Sequence, residues 1–145
     1  MYKKILLAYD GSESGQRALL DCHEIAQWSQ AQLQLIAVMQ FPVSNLTLEG
    51  GLHDDTLQQG EEARYQAILD AGLRTLHDAG LAARGEVVVG DAVTEITRCA
   101  DSIQADLIVV GHKHRSGWAA RWWSSSVSKA LIEHAPCSVL VVITH

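Results

Sequence analysis

The sequence has few of the residues that mark disulfide-bonded, metal-bound or membrane-spanning proteins. Its three cysteines, Cys22, Cys99 and Cys137, are far apart and include no CxxC pair, so neither a disulfide framework nor a zinc knuckle is indicated. The apolar run that opens the chain ends at Asp10, too soon for a signal-peptide core or a membrane span. We therefore expect reduced thiols, no membrane insertion and a cytoplasmic location.

Negative charge dominates the chain and excludes one class of partner. The net charge is −6, which repels nucleic acid and anionic lipid at long range, so we expect no nucleic-acid partner. Acidic residues are nevertheless missing between Leu107 and Ile132. That segment carries four basic residues: Lys113, Arg115, Arg121 and Lys129. It is therefore the first place to look for an anion site.

Short apolar runs alternate with helical spacing, a pattern typical of an α/β domain around a parallel sheet. A length of 145 residues fits one such domain, which we expect to span residues 1–145. The predicted strands cover residues 3–9, 33–39, 81–89, 106–111 and 138–142, with a long loop over 41–55. The predicted helices cover about 14–28, 56–78 and 126–134, and a fourth follows Asp91.

Ligands of such folds bind beyond the carboxyl ends of the strands, where the strand order reverses. We therefore expect functional residues in the loops after strands one and four. The first loop, DGSESG, contains neither a GxSxG hydrolase elbow nor a GxGxxG or GxxxxGK[ST] phosphate loop. A serine that caps the following helix, with Glu13 at its positive end, explains most of this segment. Capping explains Asp10 less well, because Asp10 ends a buried strand at a predicted pocket rim.

The loop after strand four offers groups that suit a phosphate. Gly111 would let the backbone approach a ligand, and Ser125 and Ser126 precede a helix whose free amides can receive phosphate oxygens. Lys113 and Arg115 would supply positive charge. A solvated loop with a capping serine is an equally good interpretation of the same spacing.

Aromatic and histidine residues in this loop leave further alternatives open. Trp118, Trp122 and Trp123 either pack against the core or form an exposed patch for a protein partner. His112 and His114, two residues apart on an extended chain, point to opposite sides, so no metal site is expected. No nucleophile, base and orienting group occur together, so no catalytic residue is predicted.

Taken together, these segments resemble the universal stress protein family over essentially the whole chain. The resemblance rests on KILLAYDGSESGQRAL, GDAVTEI, ADLIVVG and SVSKALIEHAPCSVLVV. It implies a single doubly wound domain with a five-stranded parallel sheet in the order 3-2-1-4-5 and helices on both faces. It also implies a cytoplasmic protein of the stress response that forms a homodimer through its last strand.

The resemblance further implies an adenine nucleotide ligand, either ATP, with or without Mg²⁺, or AMP. ATP-binding members carry Gly-x-x-Gly followed by Gly-Ser in the strand-four loop. Here Gly111 matches the first glycine, His114 stands at the second, and Ser125 and Ser126 stand at the Gly-Ser pair. Asp10 and Val38 match the positions that frame adenine. The sequence therefore matches the family at the positions that contact adenosine and differs from it at the positions that contact the triphosphate.

Two other functions remain open at this point. The first is a dimeric interaction module of the same family that binds no nucleotide and acts through its tryptophan loop. The second, a slow ATPase, rests on fold analogy alone. The groups that the ends of strands one and four offer to a ligand distinguish nucleotide binding from these two alternatives.

Overall fold

The computed structural model describes residues 1–40, 54–113 and 125–145. Within these ranges, five strands alternate with four helices along the chain. The strands are β1 (Lys4–Ala8), β2 (Gln32–Met39), β3 (Ala83–Val89), β4 (Leu107–Lys113) and β5 (Ser138–Thr144). The helices are α1 (Glu13–Ser29), α2 (Asp54–Asp78), α3 (Ala92–Ile103) and α4 (Ser125–His134).

The five strands form one parallel sheet in the order β3-β2-β1-β4-β5, which confirms the predicted doubly wound architecture. The chain moves outward from β1 to β3 and then returns to the other side of β1 with β4. The order therefore reverses between β1 and β4, and a crevice at their carboxyl ends is the expected ligand position.

Helices cover both faces of the sheet because its central strands are apolar on both faces. Ile5, Leu7 and Val109 belong to one buried cluster, with residues of α1 and α2. Leu6 and Ile108 belong to a second cluster, with residues of α3 and α4. Alternate residues of β1 and β4 thus fill opposite cores, as the two-residue period of a strand requires.

The predicted boundaries lie within two residues of the observed ones. The third strand begins at Ala83 rather than at residue 81, and α2 begins at Asp54, inside the predicted 41–55 loop. β4 was expected to end at Gly111 but continues to Lys113, because Gly111, His112 and Lys113 pair with β5. β5 correspondingly extends to Thr144 rather than to residue 142. The end of β4 is therefore part of the sheet, with alternating side chains, and not the beginning of a loop.

The two edge strands differ in character. β3 presents the exposed residues Arg84 and Glu86, and charged side chains at an edge discourage pairing with another sheet. β5 instead presents Ile143, which is 55% exposed. Among the helices of the described ranges, none combines the length and apolar character needed to cross a bilayer.

Candidate functional site

The corner between β1 and α1 holds Asp10 at the surface. Tyr9, directly before it, is buried, whereas Asp10 is exposed. Asp10 Oδ1 accepts hydrogen bonds from the Ser12 amide at 3.0 Å and from the Ser12 hydroxyl at 2.6 Å. Because both bonds from the described residues fall on Oδ1, Oδ2 remains available as an acceptor for another donor. The negative charge of Asp10 also raises the pKa of Tyr9, after the larger effect of burial.

The serines of this corner form a chain of hydrogen bonds that begins α1. Ser12 is the N-cap, and its Oγ accepts a hydrogen bond from the Gly15 amide at 3.0 Å. Since its single proton is donated to Asp10, the Ser14 hydroxyl, 3.1 Å away, must donate to Ser12. The predicted capping role is confirmed for Ser12. Gly11, with a φ of 76°, makes the turn that precedes the cap.

Gly111 lies against the first turn of α1. A Cβ atom at Gly111 would lie 2.4 Å from the Ser14 carbonyl oxygen and 2.8 Å from the Gly15 amide nitrogen. Both are backbone atoms and cannot rotate away. The absence of a side chain at Gly111 is therefore required for β4 to pack against α1, whether or not a ligand approaches it.

The contact at Gly15 brings two predicted site residues together. A Cβ atom at Gly15 would lie 2.7 Å from Asp10 Oδ1, and the Gly15 amide nitrogen would lie 2.8 Å from a Cβ atom at Gly111. Asp10 and Gly111, about a hundred residues apart in sequence, thus both lie next to Gly15. The carboxyl ends of β1 and β4 therefore lie side by side, at the position where the reversal of strand order leads us to expect a ligand.

Lys113 points toward α1 and not toward α4. In β4, Leu107 and Val109 belong to the α1 side of the sheet, and alternation places Gly111 and Lys113 on that same side. The Lys113 Nζ atom lies 4.0 Å from Glu13 Oε2, and the two side chains are 44% and 77% exposed. The predicted phosphate-binding lysine therefore has a carboxylate as its present partner.

The remaining predicted residues occupy different positions. Val38 is half-buried near the end of β2 and packs with the α3 side of the core. Ser125 and Ser126 begin α4, where the first amides of a helix are free. Arg115 and the second motif position, His114, lie outside the described residues. The same holds for the three loop tryptophans, Trp118, Trp122 and Trp123, and for most of the predicted 41–55 loop.

The buried thiols are not activated as nucleophiles. Burial raises the pKa of Cys22 to about 12, with a smaller contribution from Asp21. Burial and the neighbouring Glu86 raise the pKa of Cys99 to about 11. A thiol with such a pKa is almost wholly protonated near pH 7. Within residues 1–40, 54–113 and 125–145, no cluster of three or more His, Cys, Asp or Glu side chains could hold a metal ion.

Two features of this site were not found in the sequence. The ion pair between Glu13 and Lys113 joins residues a hundred positions apart, and the contact of Gly111 with Ser14 is between backbones. Only the alternation of β4, continued past Gly111, could have shown which way Lys113 points.

The chain has clear relatives over its whole length. Its sequence matches the model of the universal stress protein family over residues 1–142. A universal stress protein of Methanocaldococcus jannaschii is 30% identical over 146 residues, covering 98% of this chain and 82% of that protein. One of Thermus aquaticus is 31% identical over 145 residues, covering 98% of this chain and 99% of that protein.

Solved structures of the same kind share the fold. A universal stress protein in complex with cAMP is 26% identical, with a TM-score of 0.68, over 97% of this chain and 96% of that chain. An Arabidopsis thaliana protein of the family with AMP bound is 19% identical, with a TM-score of 0.71, over 99% and 92% of the two chains. Since the family match leaves out only the last residues, the chain belongs to the universal stress protein family.

Proposed function

We propose that this protein is a regulatory protein of the stress response that binds an adenine nucleotide at the carboxyl ends of β1 and β4. The observation that carries the proposal is the exposed carboxylate of Asp10, whose Oδ1 accepts both hydrogen bonds from Ser12. Its second oxygen suits a hydroxyl or amino donor of an adenosine group. The backbone at the end of β2, around Val38, supplies further groups of the type that adenine needs.

The phosphate half of the proposed site rests on fewer residues. The first turn of α4, beginning at Ser125, supplies free amides and the positive end of a helix. Ser126 is expected to assist there, together with Arg115. Lys113 is 44% exposed and lies 4.0 Å from Glu13, so its ammonium group keeps N–H donors for a phosphate. A relative of 26% identity holds cAMP, which supports an adenine ligand and fits a site with limited phosphate contacts.

Calorimetric titration of the nucleotide-stripped protein tests the proposal. Both AMP and ATP are titrated, the latter with and without Mg²⁺. We expect saturable binding, and we expect Asp10→Asn to weaken it about tenfold, since a hydrogen bond to a charged group contributes about 1.5 kcal/mol. Asp101→Asn, an exposed change near the end of α3, is the matched control and should leave affinity unchanged. Equal affinity of the Asp10→Asn and wild-type proteins would count against the proposal.

A second candidate is an interaction module that acts as a homodimer in the cytoplasm without a nucleotide. The observation that favours a dimer is β5, an edge strand with Val139, Leu140 and Val141 only half-buried and Ile143 exposed. A second copy could pair with this apolar edge and cover it. We expect the dimer to dissociate when Ile143 is replaced by a charged residue. A partner site at the loop tryptophans remains part of this candidate.

A further inference from the structure

The two residues that flank Asp10 in the chain both pack against α2. A Cβ atom at Gly11 would lie 2.8 Å from Ile68 Cγ2 and 3.5 Å from Ile68 Cγ1. A Cβ atom at Gly72 would lie 2.6 Å from Tyr9 Cε1, so the buried ring of Tyr9 lies directly against the helix. Ile68 and Gly72 are four residues apart and therefore share one face of α2. That face of α2 supports the corner that carries Asp10.

The contacts with α2 hold the backbone of the corner, whereas the contacts with α1 hold the Asp10 side chain. Ser12, the cap of α1, donates two hydrogen bonds to the carboxylate. Gly11 has a φ of 76°, and no side chain of its own restricts it to that conformation. Its carbonyl oxygen accepts an exposed hydrogen bond from the Gln16 side chain at 3.2 Å. Ile68, which packs against the core, adds an apolar contact that holds the turn from the inner side.

From this arrangement we infer that Ile68 is a positioning residue, which holds the Gly11 turn and thereby places the Asp10 carboxylate for the nucleotide. The inference rests on the proposed function and adds to it the element that regulates the affinity of the site, α2. A hydrogen bond weakens steeply when its angle or distance departs from the preferred range. A small displacement of the corner therefore lowers the affinity, although Ile68 acts through Gly11 and not on the ligand itself.

Calorimetric titration with AMP tests this role in Ile68→Ala and Ile68→Val. Alanine removes both γ carbons that lie beside Gly11, whereas valine keeps two γ carbons on the same Cβ. We expect Ile68→Ala to weaken AMP binding about fivefold, within the range for residues that act on a ligand without touching it. Ile68→Val should bind AMP with wild-type affinity. If the alanine variant does not fold, Ile68→Leu, which has the same number of carbons but lacks Cγ2, should show the same loss.

A double-mutant cycle shows whether Ile68 acts through Asp10. In an Asp10→Ala background, Ile68→Ala should weaken AMP binding further by less than about twofold, because the group that it positions is gone. Leu76→Ala is the matched control, since Leu76 is a core residue of the same helix and is 1% exposed. It lies roughly 12 Å farther along the helix axis. Leu76→Ala should lower the stability and leave the affinity unchanged.

The pattern of outcomes separates this inference from the proposed function. If AMP binds the wild-type protein and Ile68→Ala equally well, the positioning role is wrong and the proposed function stands. The same conclusion follows if Ile68→Ala costs as much affinity without Asp10 as with it, or if Leu76→Ala costs as much as Ile68→Ala. If neither AMP nor ATP binds the wild-type protein, the proposed function fails, and the inference fails with it.

Discussion

Replacing Gly111 with alanine should destabilise the fold even without a ligand. The added Cβ would lie 2.4 Å from the Ser14 carbonyl oxygen and 2.5 Å from the Ser14 carbonyl carbon, whereas ordinary contacts begin near 3.4 Å. Either α1 or β4 must move by about 1 Å to relieve this overlap, and both belong to the close-packed core. We expect a loss of about 3 kcal/mol, at the upper end for overpacking, and a Tm lower by about 6–12 °C.

Gly60→Ala provides the matched control for this prediction. Gly60 lies inside α2, and a Cβ atom there would meet nothing within 4 Å. The same chemical change should therefore stabilise the protein by about 0.5–1 kcal/mol, because alanine favours a helix interior. Urea unfolding at one fixed protein concentration, followed by circular dichroism, measures both variants.

The two variants should move stability in opposite directions. If Gly111→Ala were as stable as wild type, the close packing of β4 on α1 would be refuted. Gly111 would then be explained by ligand approach alone. A Gly111→Ala variant that also loses nucleotide binding does not by itself show that Gly111 contacts the ligand. The altered packing of β4 on α1 is a sufficient explanation of that loss.

Two further predictions concern a helix cap and the sheet edge. Asp91 caps α3, and the Thr94 amide and hydroxyl lower its pKa; Asp91→Ala should thus cost about 1 kcal/mol near pH 7. A lowered pKa stabilises the folded state above the ordinary value of 3.8, so the deficit should shrink as the pH falls below it. Ile143→Lys should raise the dissociation constant of the dimer about a hundredfold, since two isoleucines each lose about 1.5 kcal/mol of burial.

Each of these predictions has a control on a comparable residue. Asp101→Ala changes an exposed residue near the end of α3 and should lower the stability little at pH 3 or at pH 7. A deficit of Asp91→Ala that is the same at pH 3 and pH 7 would contradict the charge-assisted cap. Leu20→Lys alters a residue that is 56% exposed on α1, closely matched to Ile143 at 55%, and should leave the dimer intact. Sedimentation velocity measures the dissociation of the dimer for both lysine variants. A monomeric wild-type protein would contradict pairing through β5.

The fold was largely predictable because its central strands have a strong and simple pattern. Ile5, Leu6 and Leu7 are apolar in succession, as a strand buried on both faces must be, and all three are fully buried. A serine cap at the start of α1 was also predictable, because serine is a preferred N-cap residue; only the structure shows that the cap is Ser12 and not Ser14. The strand order came from the family resemblance and not from these local patterns.

The site was less predictable because its key contacts link distant parts of the chain. Nothing near Gly111 in the sequence shows that the backbone of Ser14 occupies the space where its side chain would lie. Lys113 was interpreted as a phosphate ligand from its position in a basic segment, yet strand alternation directs it to Glu13. The sequence pattern placed the ends of β1 and β4 at one edge of the sheet, but the direction of the Lys113 side chain depends on how far the alternation of β4 continues.

The central claim is that an adenine nucleotide binds where β1 and β4 end. Mapping amide chemical shifts by NMR during titration with AMP tests it most directly. We predict saturable changes at residues 10–12 and 111–113, together with the first turn of α4, and none at Asp101 or Gln104 near the opposite edge of the sheet. Saturable changes confined to that opposite edge, or no changes at saturating AMP and ATP, would contradict the claim.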